Sequence, residues 1–284
     1  MAESLERLKS YVGRSETATD VVTASMVAKF AATLGQPDPP LDAGSPIPPG
    51  WHGGLFPPSH RPDQMRADGQ AAGGGIMPAI PLPRRRIGGT RTSFLEPLRV
   101  GDEVTRTIEI ADIQVDDGPQ GAMATVVERT SLATANGLCV VEERDMRSLS
   151  EARAVAAPTT ALTVPGDAEW QQTVEPTTPL LFRFSAIRFN SHRIHYDRDY
   201  VTNVEKLPGL VVQSSLIAQL LLEMCRREAP ERRLTRFDAQ NVRSVHDVGA
   251  FTLAGLPTAD GSGATLWAID ADGQLAMLAS AVFS

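Results

Sequence analysis

Apolar and polar positions alternate along four runs in the last third of the chain: Leu234 to Val245, Gly249 to Leu256, Ala264 to Asp270 and Leu275 to Phe283. Period-two alternation predicts half-buried strands. The breaks between them, Asp247-Val248-Gly249, Asp260-Gly261-Ser262-Gly263 and Asp270-Ala271-Asp272-Gly273, carry the Asp, Ser and Gly chemistry of turns that join antiparallel strands. Before them, Pro208-Gly209 opens a stretch from Leu210 to Leu222 with no charge until Glu223. Such a piece predicts a helix apolar nearly all round, too short to cross a bilayer and therefore buried in a core. Further upstream, Leu181, Phe182, Phe184, Ala186, Ile187 and Phe189 are interrupted by Arg183, Ser185 and Arg188, which predicts a strand ending at Asn190. From Asn190 to Pro208 charged and amide groups dominate, as in a structured loop.

The first half repeats this grammar less cleanly. Thr23 is placed to cap a helix over Ala24 to Leu34, with Gly35 as its stop, and strands are predicted at Gly88 to Leu95, Asp102 to Val115, Ala122 to Thr134 and Gly137 to Leu149. Between helix and strands lies a Pro- and Gly-rich segment, Asp38 to Arg86. A loop of that length inside a compact domain is usually functional or disordered. Strand, loop, central helix and antiparallel meander is the order of a hotdog domain. The expected fold is therefore α+β, a double hotdog: residues 1–155 a degenerate N-terminal hotdog that has lost its long central helix, 156–175 a linker, and 176–284 the catalytic hotdog.

Bulk properties narrow the function classes. A net charge of −7 disfavours nucleic acid as a partner, and no stretch reaches membrane-spanning length. The charged N-terminus lacks the apolar run of a signal peptide, and Cys139 and Cys225 sit in apolar surroundings, so a cytoplasmic location without disulfides is expected. Of the 27 basic residues 24 are arginine. Arg84-Arg85-Arg86 follow Pro81-Leu82-Pro83, and guanidinium forks suit phosphates, although a solvated charge run or an interface between halves is at least as good a reading.

The polar cluster after the predicted strand reads Phe189-Asn190-Ser191-His192-Arg193-Ile194-His195-Tyr196-Asp197. It resembles the hydratase signature of the MaoC-like family of (R)-specific enoyl-thioester hydratases and dehydratases. In that signature an Asp and a His five residues later follow the first strand of a hotdog. Asn190 falls at the Asp position and His195 at the His position. The family's usual Gly-Asp-x-Asn-Pro is here Phe189 to Arg193, a variant similar to the type 2 hydroxyacyl-thioester dehydratases and the mesaconyl-C4-CoA and itaconyl-CoA hydratases. Pro48-Pro49-Gly50-Trp51, Asp68-Gly69 and Pro81 to Gly89 match first-half features of the same subgroup.

Hydrating an α,β-unsaturated thioester requires a base for water, a proton for Cα and donors for the enolate oxygen. His195 titrates near neutrality and is the expected acid/base. Asn190, which cannot act as a base, is expected to orient water or the thioester carbonyl. The enolate is expected at the backbone N–H groups of Gly209 and Leu210, taken as the start of the buried helix. His192, Tyr196 and Asp197 are supporting candidates, and Arg84, Arg85, Arg86, Trp51 and Arg193 candidates for the acyl or CoA end. His52 and His60, in the Gly/Pro-rich loop, are expected at the solvent, and His246 in a structural role. His192, His195 and Asp197 are also weighed as a metal site, but no further ligand cluster stands out, so neither metal nor cofactor is expected. The resemblance implies a hydro-lyase acting on a short dicarboxylyl-CoA, such as mesaconyl-C4-CoA or itaconyl-CoA. The alternatives are a 3-hydroxyacyl-carrier-protein dehydratase, a hotdog thioesterase using Asp197 or Asp199, and a non-catalytic acyl-thioester binding protein. The expected partner is a CoA thioester, and the expected assembly a homodimer.

Overall fold

A computed structural model describes residues 5–73, 75–152 and 162–284. β1 (Ser15–Val21) and α1 (Ala24–Leu34) lead to four strands, β2 (Arg84–Phe94), β3 (Glu103–Gly118), β4 (Gly121–Thr134) and β5 (Gly137–Leu149). The second half opens with β6 (Trp170–Val174), α2 (Thr178–Ile187), α3 (Arg198–Asn203) and α4 (Ser214–Glu228). It closes with β7 (Leu234–Asn241), β8 (Phe251–Pro257), β9 (Gly263–Ile269) and β10 (Leu275–Phe283). The ten strands form one sheet in the order β1-β3-β4-β5-β2-β7-β10-β9-β8-β6. Followed inward from either end the order is the same, so β6 stands where β1 does and β7 where β2 does. This is a double hotdog, α+β as the sequence leads one to expect.

The repeat extends to the helices. In each half a threonine accepts a hydrogen bond from the first turn of the helix that follows the edge strand: Thr23 from Met26 N–H at 3.1 Å for α1, and Thr177 from Leu180 N–H at 3.3 Å for α2. Gly35 ends α1 in the left-handed region (φ 64°), as its type requires. The halves then diverge. In the second, the path from α2 to β7 carries α4, with nine buried residues between Leu216 and Cys225. In the first, the path from α1 to β2 carries the Pro/Gly-rich segment instead.

The seam between halves is the β2–β7 pair, with Gly89 opposite Gln240 and Ser93 opposite Arg236. A Cβ on Gly89 would stand 2.7 Å from the Ala239 carbonyl oxygen, and one on Gly88 2.4 Å from Arg147 Nε. Gly89 is therefore the residue whose missing side chain lets β2 and β7 approach at the seam. The largest apolar cluster crosses the seam and joins Phe30 and Trp51 of the first half to Leu216, Leu221 and Met224 of α4.

Two predicted elements differ from the structure. Residues 181–189 are not a strand but belong to α2 and the residues that follow it. Leu181, Phe184 and Ser185 are buried while Phe182 is 58% exposed, which is helical spacing. The buried helix starts at Ser214, six residues later than Pro208: β-branched Val211 and Val212 run extended, donating to Ile194 and Val245 carbonyls at 2.9 Å. β6 falls inside the stretch expected as linker, and the part of that stretch from 156 to 161 lies outside the described residues.

Candidate active site

The inward face of the first-half sheet has no long helix on it, and a cleft of about 600 Å³ lies there, closed on one side by α4 and the end of α2. Its floor is polar by design of the register. Thr130, Glu142 and Thr92 stand side by side on β4, β5 and β2 and lead to Phe237 of β7. The neighbouring row runs Glu128, Arg144, Thr90 and Ala239. Arg144 donates to Glu142 at 2.7 Å. Burial opposes ionisation of Glu142, but Arg144, His52 and Arg188 together hold its pKa below the ordinary carboxylate value.

Asn190 stands on the wall of this cleft, with Arg188, Phe189 and Ser191 beside it and Ser214, Ser215, Ala218 and Gln219 of α4 opposite. Phe189 has φ 49°, a strained conformation for a residue with a side chain, and it occupies the position where the family signature has glycine. That backbone turns Asn190 into the cleft, where its Oδ1 accepts from His192 N–H at 3.1 Å.

His195 is buried, 8% exposed, and is not among the residues lining the cleft. Its Nδ1 lies 2.7 Å from the Val211 carbonyl oxygen. A carbonyl only accepts, so Nδ1 carries the proton and Nε2 keeps its lone pair. Burial pushes the imidazole pKa down to about 4, partly offset by the Val211 carbonyl, so the ring is neutral at physiological pH. His192 packs edge-on against it, centroids 5.5 Å apart, and receives the Gln70 side-chain amide at 2.9 Å.

Gln70 belongs to a first-half loop that is latched onto the signature. Ser191 Oγ donates to the Gly69 carbonyl at 2.7 Å, and Arg193 N–H to the Asp68 carbonyl at 2.9 Å. Arg193 also reaches the Ala67 carbonyl at 3.1 Å while paired with Asp197 at 2.8 Å. Gly69 has φ 83°, and a Cβ there would lie 1.9 Å from the Ser191 carbonyl oxygen. Gly69→Ala is therefore expected to unlatch the loop, destabilising the protein by about 2 kcal/mol or more and removing activity. Thermal melting and turnover of the purified variant check it.

The other candidates take other places. Leu210 N–H is committed to Asp247 Oδ1 at 2.8 Å, and Gly209 lies where a Cβ would meet that same oxygen at 2.5 Å. The open donors of the buried helix are instead at its first turn, Ser214 and Ser215, on the cleft wall. Tyr196 donates to the Ser191 carbonyl at 3.0 Å, and Asp197 accepts from Tyr200 N–H at 3.0 Å as the cap of α3, so neither orients His195. Trp51, expected at the ligand end, is 1% exposed: it stacks on Phe30 and donates Nε1–H to Glu223 at 2.7 Å, which explains the one acid in that helix face. Arg84, Arg85 and Arg86 are exposed at the start of β2, and Arg84 pairs with Glu151 at 3.0 Å. His52, expected at the solvent, is instead partly buried in the cleft lining, whereas His60 is exposed as expected, at the cleft's edge. His246 bridges to Val211 beside a turn. Among the described residues no group of three His, Cys, Asp or Glu side chains could hold a metal.

Sequence reasoning missed Gln70, the Glu142–Arg144 pair and the threonines of β2. A signal was present: Glu142-Glu143-Arg144-Asp145 puts charge on both faces of one strand, so neither face packs on an apolar layer.

Comparison with known proteins agrees with this geometry. The profile of hydroxyacyl-thioester dehydratase type 2 matches residues 50–247. The mesaconyl-C(4)-CoA hydratase of Chloroflexus aurantiacus is 37% identical over 251 residues, covering 88% of this chain and 89% of that protein. A MaoC-like dehydratase structure superposes with a TM-score of 0.71 at 12% identity, covering 97% of this chain and 99% of its own. A Mycobacterium tuberculosis protein with a double hotdog fold does so at 0.56 and 13% identity, covering 96% of each chain. The signature around Asn190 and His195, the fold built around it and the match over most of the length make this chain a member of the hydroxyacyl-thioester dehydratase type 2 family.

Proposed function

We propose that the protein adds water reversibly to an α,β-unsaturated acyl-CoA, with His195 as acid and base and Asn190 as orienter. The observation that carries this is the Val211 carbonyl on Nδ1, which leaves a neutral imidazole with its lone pair at Nε2. Nε2 takes a proton from water as the oxygen attacks Cβ, electrons move to the thioester oxygen, and the proton returns to Cα. The first-turn N–H groups of α4 at Ser214 and Ser215 support the role of donors to that oxygen, where the helix dipole favours negative charge. Asn190 holds water or carbonyl through its carboxamide. His195 is set back from the cleft lining, and catalytic contacts of this kind tighten on substrate binding. The relative's substrate points to mesaconyl-C4-CoA, with itaconyl-CoA as the near analogue. Residues 1–155 and 176–284 then act as two halves of one site, in a cytoplasmic protein; no described helix is long and apolar enough to cross a membrane.

A panel of mesaconyl-C4-CoA, itaconyl-CoA and crotonyl-CoA, followed at the enoyl-thioester absorbance with free thiol measured in parallel, tests the reading. Loss of the band without thiol release supports it, and thiol release would make the protein a thioesterase. Asn190→Ala is expected to lower kcat more than it raises KM, because orientation acts mainly in the transition state. A change confined to KM would remove the orienter role. The burial of His195 favours one second reading, a non-catalytic acyl-thioester binder, which silence on the whole panel with measurable CoA affinity would support.

A further inference from the structure

We infer that Arg188 is the specificity residue of the cleft and pairs with a free carboxylate on the acyl group; this rests on the acyl-thioester reading above. Arg188 is the residue that ends α2, two positions before Asn190, so its Cα lies within roughly 7 Å of that of the orienter. Its guanidinium lies over the Phe184 ring, 5.6 Å from the centroid, and against Gly53, where a Cβ would come within 2.2 Å of Nη1. The side chain is thus wedged between an aromatic ring and a glycine turn. No described carboxylate lies within ion-pair distance of it, whereas Arg91, Arg129, Arg144 and Arg193 each have such a partner.

The charge count of the cleft agrees. Its charged walls are Arg106, Arg144 and Arg188 against Glu128 and Glu142, one positive charge in excess, with His52 held towards its neutral form by burial. An acyl group with one free carboxylate brings one negative charge. Burial lowers the Arg188 pKa to about 10, which still leaves it protonated at neutral pH. Of the three arginines that line the cleft, Arg106 is the other without a carboxylate within ion-pair distance among the described residues, and it stacks on Phe56 at 4.5 Å. It comes from β3, however, with β4 and β5 between it and β2, so it lies about 14 Å from the β2 side of the cleft. A group bound near Asn190 therefore reaches Arg188 first.

The test compares thioesters of equal length with and without the carboxylate. For wild type and Arg188→Gln, the ratio of kcat/KM for mesaconyl-C4-CoA over crotonyl-CoA is measured, with Arg188→Lys as the conservative variant. Loss of one charge-assisted pair is worth roughly 10–100-fold. The ratio is expected to collapse by that factor in Arg188→Gln and to recover in part in Arg188→Lys. Binding of succinyl-CoA and butyryl-CoA, which cannot be hydrated, to the full-length protein gives an arm independent of turnover: wild type should prefer succinyl-CoA and Arg188→Gln should not. A wild type that hydrates enoyl-CoA with a ratio unmoved in Arg188→Gln overturns the carboxylate site and leaves the hydratase reading standing. A wild type silent on every enoyl-CoA that still prefers succinyl-CoA does the reverse. Equal affinity of wild type for the two saturated thioesters overturns the inference even if the variant fails to fold.

Discussion

His195→Ala is expected to reduce turnover by about 10²–10⁴ while the protein still folds, because it removes the one group proposed to move protons between water and Cα. Circular dichroism and melting establish the fold, and retention of more than a tenth of wild-type turnover would sink the assignment. The same residue sets the pH behaviour. Its imidazole sits at about pKa 4 in the folded protein against 6.5 ordinarily, with burial the main cause. The acid limb of kcat/KM should therefore lie well below pH 6.5, with activity level from pH 8 to about 5. The stability consequence has the matching sign: the unfolded chain binds a proton that the folded one refuses. Stability present above pH 6.5 is thus lost as pH falls towards 4, by about 3 kcal/mol in total. His192, His52 and His246 are shifted the same way, each chiefly by burial, and add to the trend. In urea melts, His195→Ala should lose less stability between pH 7 and pH 5 than wild type.

Deleting residues 1–150 is expected to give an insoluble or inactive fragment. It would strip β2 from β7, leaving Leu234–Asn241 as an unpaired edge, and uncover the α4 face that Phe30 and Trp51 bury. It would also remove Gly69 and Gln70 from the signature and take the Trp51 donor from Glu223, which is 3% exposed and would keep only Gln219 and Arg226 of its own helix. A soluble C-terminal fragment that hydrated enoyl-CoA at the full-length rate would refute the idea that one site needs both halves.

How far the chain could be read follows from where its signals are local. α1 lay open because cap, apolar face and stop are all within a few residues of one another, Thr23 to Gly35. β7 to β10 were legible because each is a short apolar-rich run bounded by turn chemistry, whether buried on one face or on both. The edge strands β1 and β6 were not, since Ser-Glu-Thr-Ala-Thr-Asp-Val and Trp-Gln-Gln-Thr-Val bury little and pair on one side only. α2 was misread because five or six apolar residues fit both periods, and the deciding signal, Thr177 with Pro179 in the first turn, stood just upstream. The order of the signature placed Asn190 and His195 in one short segment, but it could not show what touches them. Gln70 and the floor of the cleft come from residues more than 40 positions away, brought in by strand register and by the Gly69 latch. Trp51 was drawn towards the ligand by the resemblance of its Pro-Pro-Gly-Trp loop to the subgroup, whereas its partner is a buried glutamate 172 residues on.

The proposed reaction adds water across a carbon–carbon double bond while the thioester stays whole. Mass spectrometry of the product formed from mesaconyl-C4-CoA in ¹⁸O-labelled heavy water decides it. The expected product is an intact CoA thioester carrying one ¹⁸O on Cβ and one deuterium on Cα, formed by wild type and not by His195→Ala. Label appearing in a free carboxylic acid alongside released CoA, or the same labelled thioester formed as fast by His195→Ala, would contradict it.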